Sequence, residues 1–291
     1  MMKAAWAGLG LSLTVLAVTP AVAETHTVNV MYAGSLLHLM ENSVGPAFQK
    51  ETGLTFAGYA GGSNKLANEI KGKLRRADVF ISASPKVNAS LTGAANGDWV
   101  RWYVNFAESP LLIGYNAHSP YAAALTGKRW DQALQQPGIR IGRTDPRLDP
   151  KGVFTVELLQ RAAVLYHQPD LMARTLGTPD NPKQVLPEET LIGRLQSGQL
   201  DVGFFYSTET SDLKIPAVKL PAELAAKASY TLTIVRDAPD QTGAERFVAF
   251  LLGPKGRELL RQHGIDVVVP TVVGDRQTLP ATVQSAVSAA R

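Results

Sequence analysis

Early in the chain, and twice, an apolar strand ends in small residues and a serine and leads directly into a helical pattern. Thr27-Val28-Asn29-Val30-Met31 runs into Tyr32-Ala33-Gly34-Ser35-Leu36, and Leu54–Tyr59 runs into Ala60-Gly61-Gly62-Ser63-Asn64. Leu36, Leu39, Met40, Val44 and Phe48 then recur at helical spacing up to about Glu51, and a second helix is expected from Lys65 to Leu74. Such alternation predicts an α/β fold around a largely parallel sheet. In an open parallel sheet the two turns lie together at the carboxyl ends of the strands, where ligands bind. Each turn offers a hydroxyl and backbone N–H groups at the positive end of a helix, which suits an anion. The competing reading of Ser35 and Ser63 is simple helix capping, which serine does well.

The alternation continues. Asp78–Ser82, Pro110–Tyr115, Gly138–Gly142, Val202–Tyr206, Lys214–Leu220 and Tyr230–Val235 read as strands. Val153–Tyr166, Thr190–Gln196, Ala244–Leu252 and Lys255–His263 read as helices, the last pair broken at Gly253-Pro254. The turn 143–152 and the proline-rich connection 177–187 deliver Asp149-Pro150-Lys151-Gly152 and Glu188-Glu189-Thr190 to the starts of helices.

Residues 1–23 have the form of a secretory signal peptide: Lys3, the apolar run Ala4–Val18, and the small-x-small site Ala21-Val22-Ala23. Its apolar run is shorter than the roughly 20 residues that span a bilayer. The expectation is an exported, periplasmic protein whose mature chain begins at Glu24. Losing Lys3 lowers the formal net charge from +4 to +3. With basic residues scattered, that is too weak for a nucleic-acid partner. The absence of cysteine excludes disulfides, thiolate metal sites and a cysteine nucleophile.

Motifs for catalysis are missing as well. The chain has no Gly-x-Ser-x-Gly elbow, no His-Glu-x-x-His, and no phosphate loop ending in Lys-Ser or Lys-Thr. His26, His38, His118, His167 and His263 share no metal-ligand spacing. Nothing among the motifs nominates an enzyme, and the expectation is a binding protein, not an enzyme, without a cofactor. A periplasmic serine hydrolase is the rival from another class.

Tyr32-Ala33-Gly34-Ser35-Leu36, Gly61-Gly62-Ser63 and Ala77-Asp78-Val79-Phe80 resemble the first lobe of periplasmic substrate-binding proteins of ABC transporters, and most closely the molybdate/tungstate-binding group. Asp149-Pro150-Lys151-Gly152, Pro187-Glu188-Glu189-Thr190, Ser197-Gly198-Gln199-Leu200-Asp201, Phe205-Tyr206-Ser207-Thr208 and the segment Phe250–Gly256 extend the resemblance over about residues 27–265. It implies a two-lobe type II fold, each lobe a mainly parallel sheet flanked by helices, with the ligand in the cleft between them. Lobe 1 would combine 24–107 with 208–291 and lobe 2 would be 108–207, hinged near Ala107-Glu108 and Thr208–Ser211.

By position, the resemblance makes Ser35 and Ser63 donors to a bound oxyanion, Tyr206 a hydroxyl from the second lobe, and the backbone at Lys151-Gly152 a further source of N–H groups. Asp149 and Glu189 match carboxylates that approach the metal of the oxyanion in the archaeal-type binders. The run Ser207-Thr208-Glu209 departs from that type and looks more like the bacterial molybdate proteins. The implied partners are molybdate or tungstate and a membrane permease, the binding protein being a monomer. Two carboxylates would repel sulfate in a desolvated cleft, whereas phosphate tolerates one because its own proton needs an acceptor. Hexavalent molybdenum or tungsten can add oxygen ligands, so carboxylates near the site favour those oxyanions over sulfate or phosphate.

Overall fold

A computed structural model describes residues 26–127 and 129–290. The expected signal peptide lies outside the described residues. Nine strands form two sheets that share one long strand. These are β1 Thr27–Ala33, β2 Thr55–Gly61, β3 Val79–Ser82, β4 Trp102–Tyr115, β5 Ile141–Gly142, β6 Val202–Tyr206, β7 Ala217–Val218, β8 Lys227–Ile234 and β9 Asp266–Gly274. The first sheet runs β2-β1-β3-β8-β4-β9, and the second places β6 and β7 against the far end of β4 with β5 outside β6.

Parallel pairing is confined to β2-β1-β3 and β5-β6; the remaining pairs are antiparallel. The expectation of mainly parallel sheets thus holds only where helices cross over between consecutive strands. The antiparallel pairs all involve β4 or β8, the strands that connect the two lobes. β4, which the sequence offers as two extended apolar runs, Trp99–Val104 and Pro110–Tyr115, is one strand. Its residues up to Pro110 pair with β8 and those from Leu111 with β6, so it passes from one sheet to the other within one residue. On the return, Ala217 and Val218 still pair with Gly114 and Ile113, and the first sheet is rejoined only at Lys227. Both sheet changes thus fall on the C-terminal side of Ala107-Glu108 and Thr208–Ser211.

The first helical segment, 34–52, begins with the 3-10 turn Gly34–Leu36, widens through a π turn at Met40–Val44, and continues as α1 Gly45–Thr52. Its apolar stripe, Leu36, Leu39, Met40, Val44 and Phe48, is fully buried as its spacing requires. The other helices that position the site are α2 Ser63–Lys71, α3 Pro150–Leu165, α4 Glu188–Gln196 and α5 Ser207–Asp212. Farther away, α6 Gln241–Leu252 and α7 Pro254–Gln262 close the first lobe, with Phe247 edge-on to Phe48 at 5.1 Å. No helix among the described residues is long and apolar enough to cross a membrane.

Candidate functional site

Both serine turns end buried at the interface of the lobes. Ser35 sits within the 3-10 turn after β1, and its Oγ lies 2.9 Å from the Tyr230 hydroxyl on β8. Ser63 is the first residue of α2; its Oγ accepts the Ala83 N–H at 3.1 Å, leaving its own proton to donate elsewhere. Neither hydroxyl makes a helix-capping hydrogen bond. The capping explanation for the two serines therefore fails.

The second lobe meets these turns with three carboxyls, a lysine and a tyrosine. Asp149 caps α3 through Oδ1, which accepts from Lys151 N–H at 2.8 Å and from the Thr144 hydroxyl at 3.1 Å. Its other oxygen, Oδ2, is buried without a hydrogen-bond partner among the described residues, as are both oxygens of Glu188 and the hydroxyl of Tyr206. Lys151 is fully buried. Its Nζ donates to Glu209 Oε1 at 2.8 Å and lies 3.0 Å from Glu188 Oε1 as an ion-pair contact without hydrogen-bond alignment. Glu209 in turn accepts the Tyr206 N–H through Oε2 at 2.7 Å, so its side chain reaches back over the start of α5. Tyr206 and Tyr230 meet edge to face, with ring centroids 6.3 Å apart.

These groups form one electrostatic unit. Burial, followed by the Glu188 carboxylate, pushes Asp149 well above the usual carboxylate range. Burial raises Glu209 against the pull of Lys151. Burial works against a charged Lys151, yet Glu188, Glu209 and Asp149 together hold its ammonium above the ordinary lysine value. Burial also raises both tyrosines, reinforced at Tyr206 by Asp149, so both stay protonated and able to donate.

The two glycine turns explain how the lobes come so close. A Cβ on Gly34 would stand 2.8 Å from Glu188 Oε2, and one on Gly62 would stand 2.6 Å from the Leu148 carbonyl. The Lys65 N–H donates to that carbonyl at 3.0 Å, and Asn64 Nδ2 reaches the Arg147 carbonyl at 3.3 Å. The lobes are thus closed on one another, backbone to backbone. Beside the buried cluster a groove of about 300 Å³ remains, bordered by Ser35, Glu188, Glu189, Gln196 and Glu209.

Of the residues expected from the sequence, Ser35, Ser63, Asp149, Lys151 and Tyr206 come together here. The Lys151 N–H is already engaged by Asp149. Gly152 supports the site from behind: a Cβ there would stand 2.6 Å from Pro146 N and the Thr144 carbonyl, so glycine allows the turn to fold against α3. Glu189 does not join the cluster. Helix α4 starts at Glu188, two residues earlier than expected, which turns Glu188 inward with Leu191 and Leu195 and leaves Glu189 exposed. The spacing Glu188, Leu191, Leu195 was the signal for this, since positions three and seven apart share a helix face. Tyr230, deep in β8, had no such local signal. Among the described residues no group of three or more His, Cys, Asp or Glu side chains is arranged to hold a metal ion.

Residues 28–266 match the family described as bacterial extracellular solute-binding protein. A putative ABC transporter molybdenum-binding protein of Haloferax volcanii is 30% identical over 238 residues, covering 77% of this chain and 73% of its own. A molybdate/tungstate-binding protein of Pyrococcus abyssi is 25% identical over 301 residues, covering 86% of this chain and 87% of its own. Among solved structures, the Azotobacter vinelandii periplasmic molybdate-binding protein superposes with a TM-score of 0.63 at 20% identity, covering 82% of this chain and 98% of its own. That structure shares the two-lobe fold.

Proposed function

The chain belongs to the bacterial extracellular solute-binding protein family, and on that premise we propose that it captures molybdate or tungstate between its lobes and delivers it to an ABC transporter permease. The observation that carries this reading is the gathering of buried polar atoms without a hydrogen-bond partner, Asp149 Oδ2, Glu188 Oε2 and Tyr206 Oη, beside Glu188 Oε1, which has only its ion-pair contact with Lys151. Several such atoms in one place call for an explanation, and a bound ligand supplies one. Ser63, Tyr206 and the hydrogen-bonded pair Ser35–Tyr230, which keeps one free proton between its two hydroxyls, supply donors to the oxyanion oxygens, which suits a tetrahedral anion without an arginine clamp. Asp149 and Glu188, the latter in the place expected for Glu189, stand where a carboxylate can approach an electron-poor hexavalent metal. A sulfate dianion has no such acceptor, and the same carboxylates repel it.

In this reading residues 1–23 direct export to the periplasm, and the protein works there as a monomer. The lobes pivot where the chain changes sheets, at Pro110-Leu111 and between Val218 and Lys227. Closure brings Asp149, Glu188 and Tyr206 onto an anion already held by the two serine turns. No bond is made or broken, as befits a family of transport proteins.

Calorimetry of the wild-type protein with tungstate, molybdate, sulfate and phosphate tests the proposal. The expected result is tight one-to-one binding of the first two alone. Silence with all four removes the oxyanion reading. Binding of phosphate in preference would mean that a buried carboxylate accepts its proton instead of approaching a metal.

A further inference from the structure

The buried charges of the cluster do not balance for an anion site. Asp149, Glu188 and Glu209 place three carboxyls around it, and Lys151 is the one basic side chain in contact with them among the described residues. Arg143, the other fully buried basic residue, donates instead to the carbonyls of Thr178 and Pro179 and to Gln184. Lys65 stands at the rim, 40% exposed, beside Glu69 and Tyr59. Both oxygens of Glu209 accept from N–H donors, so neither carries a proton and this carboxylate is ionised.

We infer that the Lys151 ammonium is the internal counter-charge that turns an acid-lined cleft into a site for a dianion, and that Glu209 sets how much of its charge the ligand feels. The inference rests on the oxyanion reading above and assigns the lysine side chain, rather than its backbone, the deciding role. Lys151 reaches the site from α3, Glu188 from α4 and Glu209 from α5, so the three helices of the second lobe meet at one nitrogen. That nitrogen also lies 5.1 Å from the centroid of the Tyr206 ring, whose hydroxyl faces the ligand in this reading. Lysine offers three N–H donors. Glu209 takes one along its hydrogen bond, and Glu188 draws on the ammonium by charge.

The consequence runs against intuition: removing an acid that touches no ligand should strengthen binding. Glu209→Gln keeps the shape and one acceptor, for the Tyr206 N–H, while it replaces the oxygen at Lys151 by an amide NH2 and removes a negative charge beside the ammonium. Its affinity for tungstate should rise by about tenfold. Lys151→Met leaves the acids uncompensated and should lower affinity by about a hundredfold or more, as loss of one partner in a buried charge pair does. The double variant Lys151→Met with Glu209→Gln should recover part of that loss. Structural damage alone predicts the reverse order, with the double variant worst.

The experiment is calorimetric titration of tungstate into wild type and the three variants, each first checked by circular dichroism. A stronger Glu209→Gln and a partial rescue in the double variant support the inference. Glu209→Gln at or below wild-type affinity overturns it even if Lys151→Met fails to fold, because the glutamine variant stands alone as a test. Wild type that binds tungstate while the variants show this flat pattern leaves the oxyanion reading intact. Wild type that binds no oxyanion overturns both.

Discussion

Asp201 and Asp149 are both buried acids in the second lobe, and they are treated in opposite ways. Asp201, 1% exposed, accepts four hydrogen bonds: from Arg140 N–H, Nε and Nη2, and from the Ser119 hydroxyl. Although burial opposes it, Arg140 and Ser119 hold its carboxyl below the usual range. Asp149, 3% exposed, has one satisfied oxygen and one orphan, and lies well above that range. Asp201 is surrounded by donors when the chain folds, whereas Asp149 is left incomplete with Glu188 and Tyr206 incomplete beside it, and it is that gathering that points to a ligand. Asp78 falls on Asp201's side of the division, its oxygens accepting from Asn29 N–H and Nδ2 and from Asp240 N–H, so the Ala77-Asp78-Val79-Phe80 motif reads as architecture.

The comparison can be broken first at Asp201. Asp201→Ala strands the Arg140 guanidinium and N–H and the Ser119 hydroxyl, and should cost about 3 kcal/mol of stability in urea unfolding, since hydrogen bonds to charged groups are worth roughly 1.5–3 kcal/mol each. The oxyanion affinity of the folded protein should stay as it was. Ser35→Ala and Ser63→Ala invert that pattern. Each should weaken tungstate binding by about 2 kcal/mol, a donor to an ionised group being lost, while stability falls by only about 1 kcal/mol, as the Tyr230 hydroxyl or the Ala83 N–H loses its partner.

The sharper contrast is with pH. A depressed carboxyl such as Asp201 contributes stability that is fully present above its unfolded value near 3.9 and is lost as pH falls through the folded one. A raised carboxyl such as Asp149 does the opposite: it costs nothing while protonated, and its cost grows as pH rises from the unfolded value toward the folded one. Asp149→Asn, which keeps the N-cap, should therefore raise ligand-free stability by about 1 kcal/mol at pH 7 and not at pH 3.5. Thermal unfolding at the two pH values checks this, and the same variant should bind tungstate more weakly. Smallest of all is Glu189→Gln. Its exposed side chain should change affinity by less than about twofold, and a large loss on titration would return the site to the neighbouring glutamate.

Much of this was legible from local pattern. Ser35 and Ser63 announced themselves because a strand, a small residue and a helix start are all contiguous in sequence. Asp149 and Tyr206 were reached only through the family resemblance, because the end of a turn or of a strand does not by itself mark a ligand. What local pattern missed depended on where helices begin and on distant pairing. The two-residue difference in the start of α4 exchanged Glu189 for Glu188, because a helix face turns by about 100° per residue. Tyr230 reaches Ser35 across 195 positions of sequence, and the partnership of Lys151 with Glu188 and Glu209 joins three helices that only packing brings together. The continuity of β4 was missed for a similar reason, since it reads as two apolar runs and is held as one strand by pairing with β8 and β6.

The central claim is that the incomplete cluster around Asp149 and the two serine turns holds a hexavalent-metal oxyanion. Competition calorimetry addresses it most directly: wild-type protein is loaded with tungstate, then titrated with molybdate and, separately, with a hundredfold excess of sulfate, about 2.7 kcal/mol of mass-action advantage. The account predicts displacement of tungstate by molybdate and retention against sulfate. Displacement by sulfate, or no tungstate bound at the outset, would contradict it.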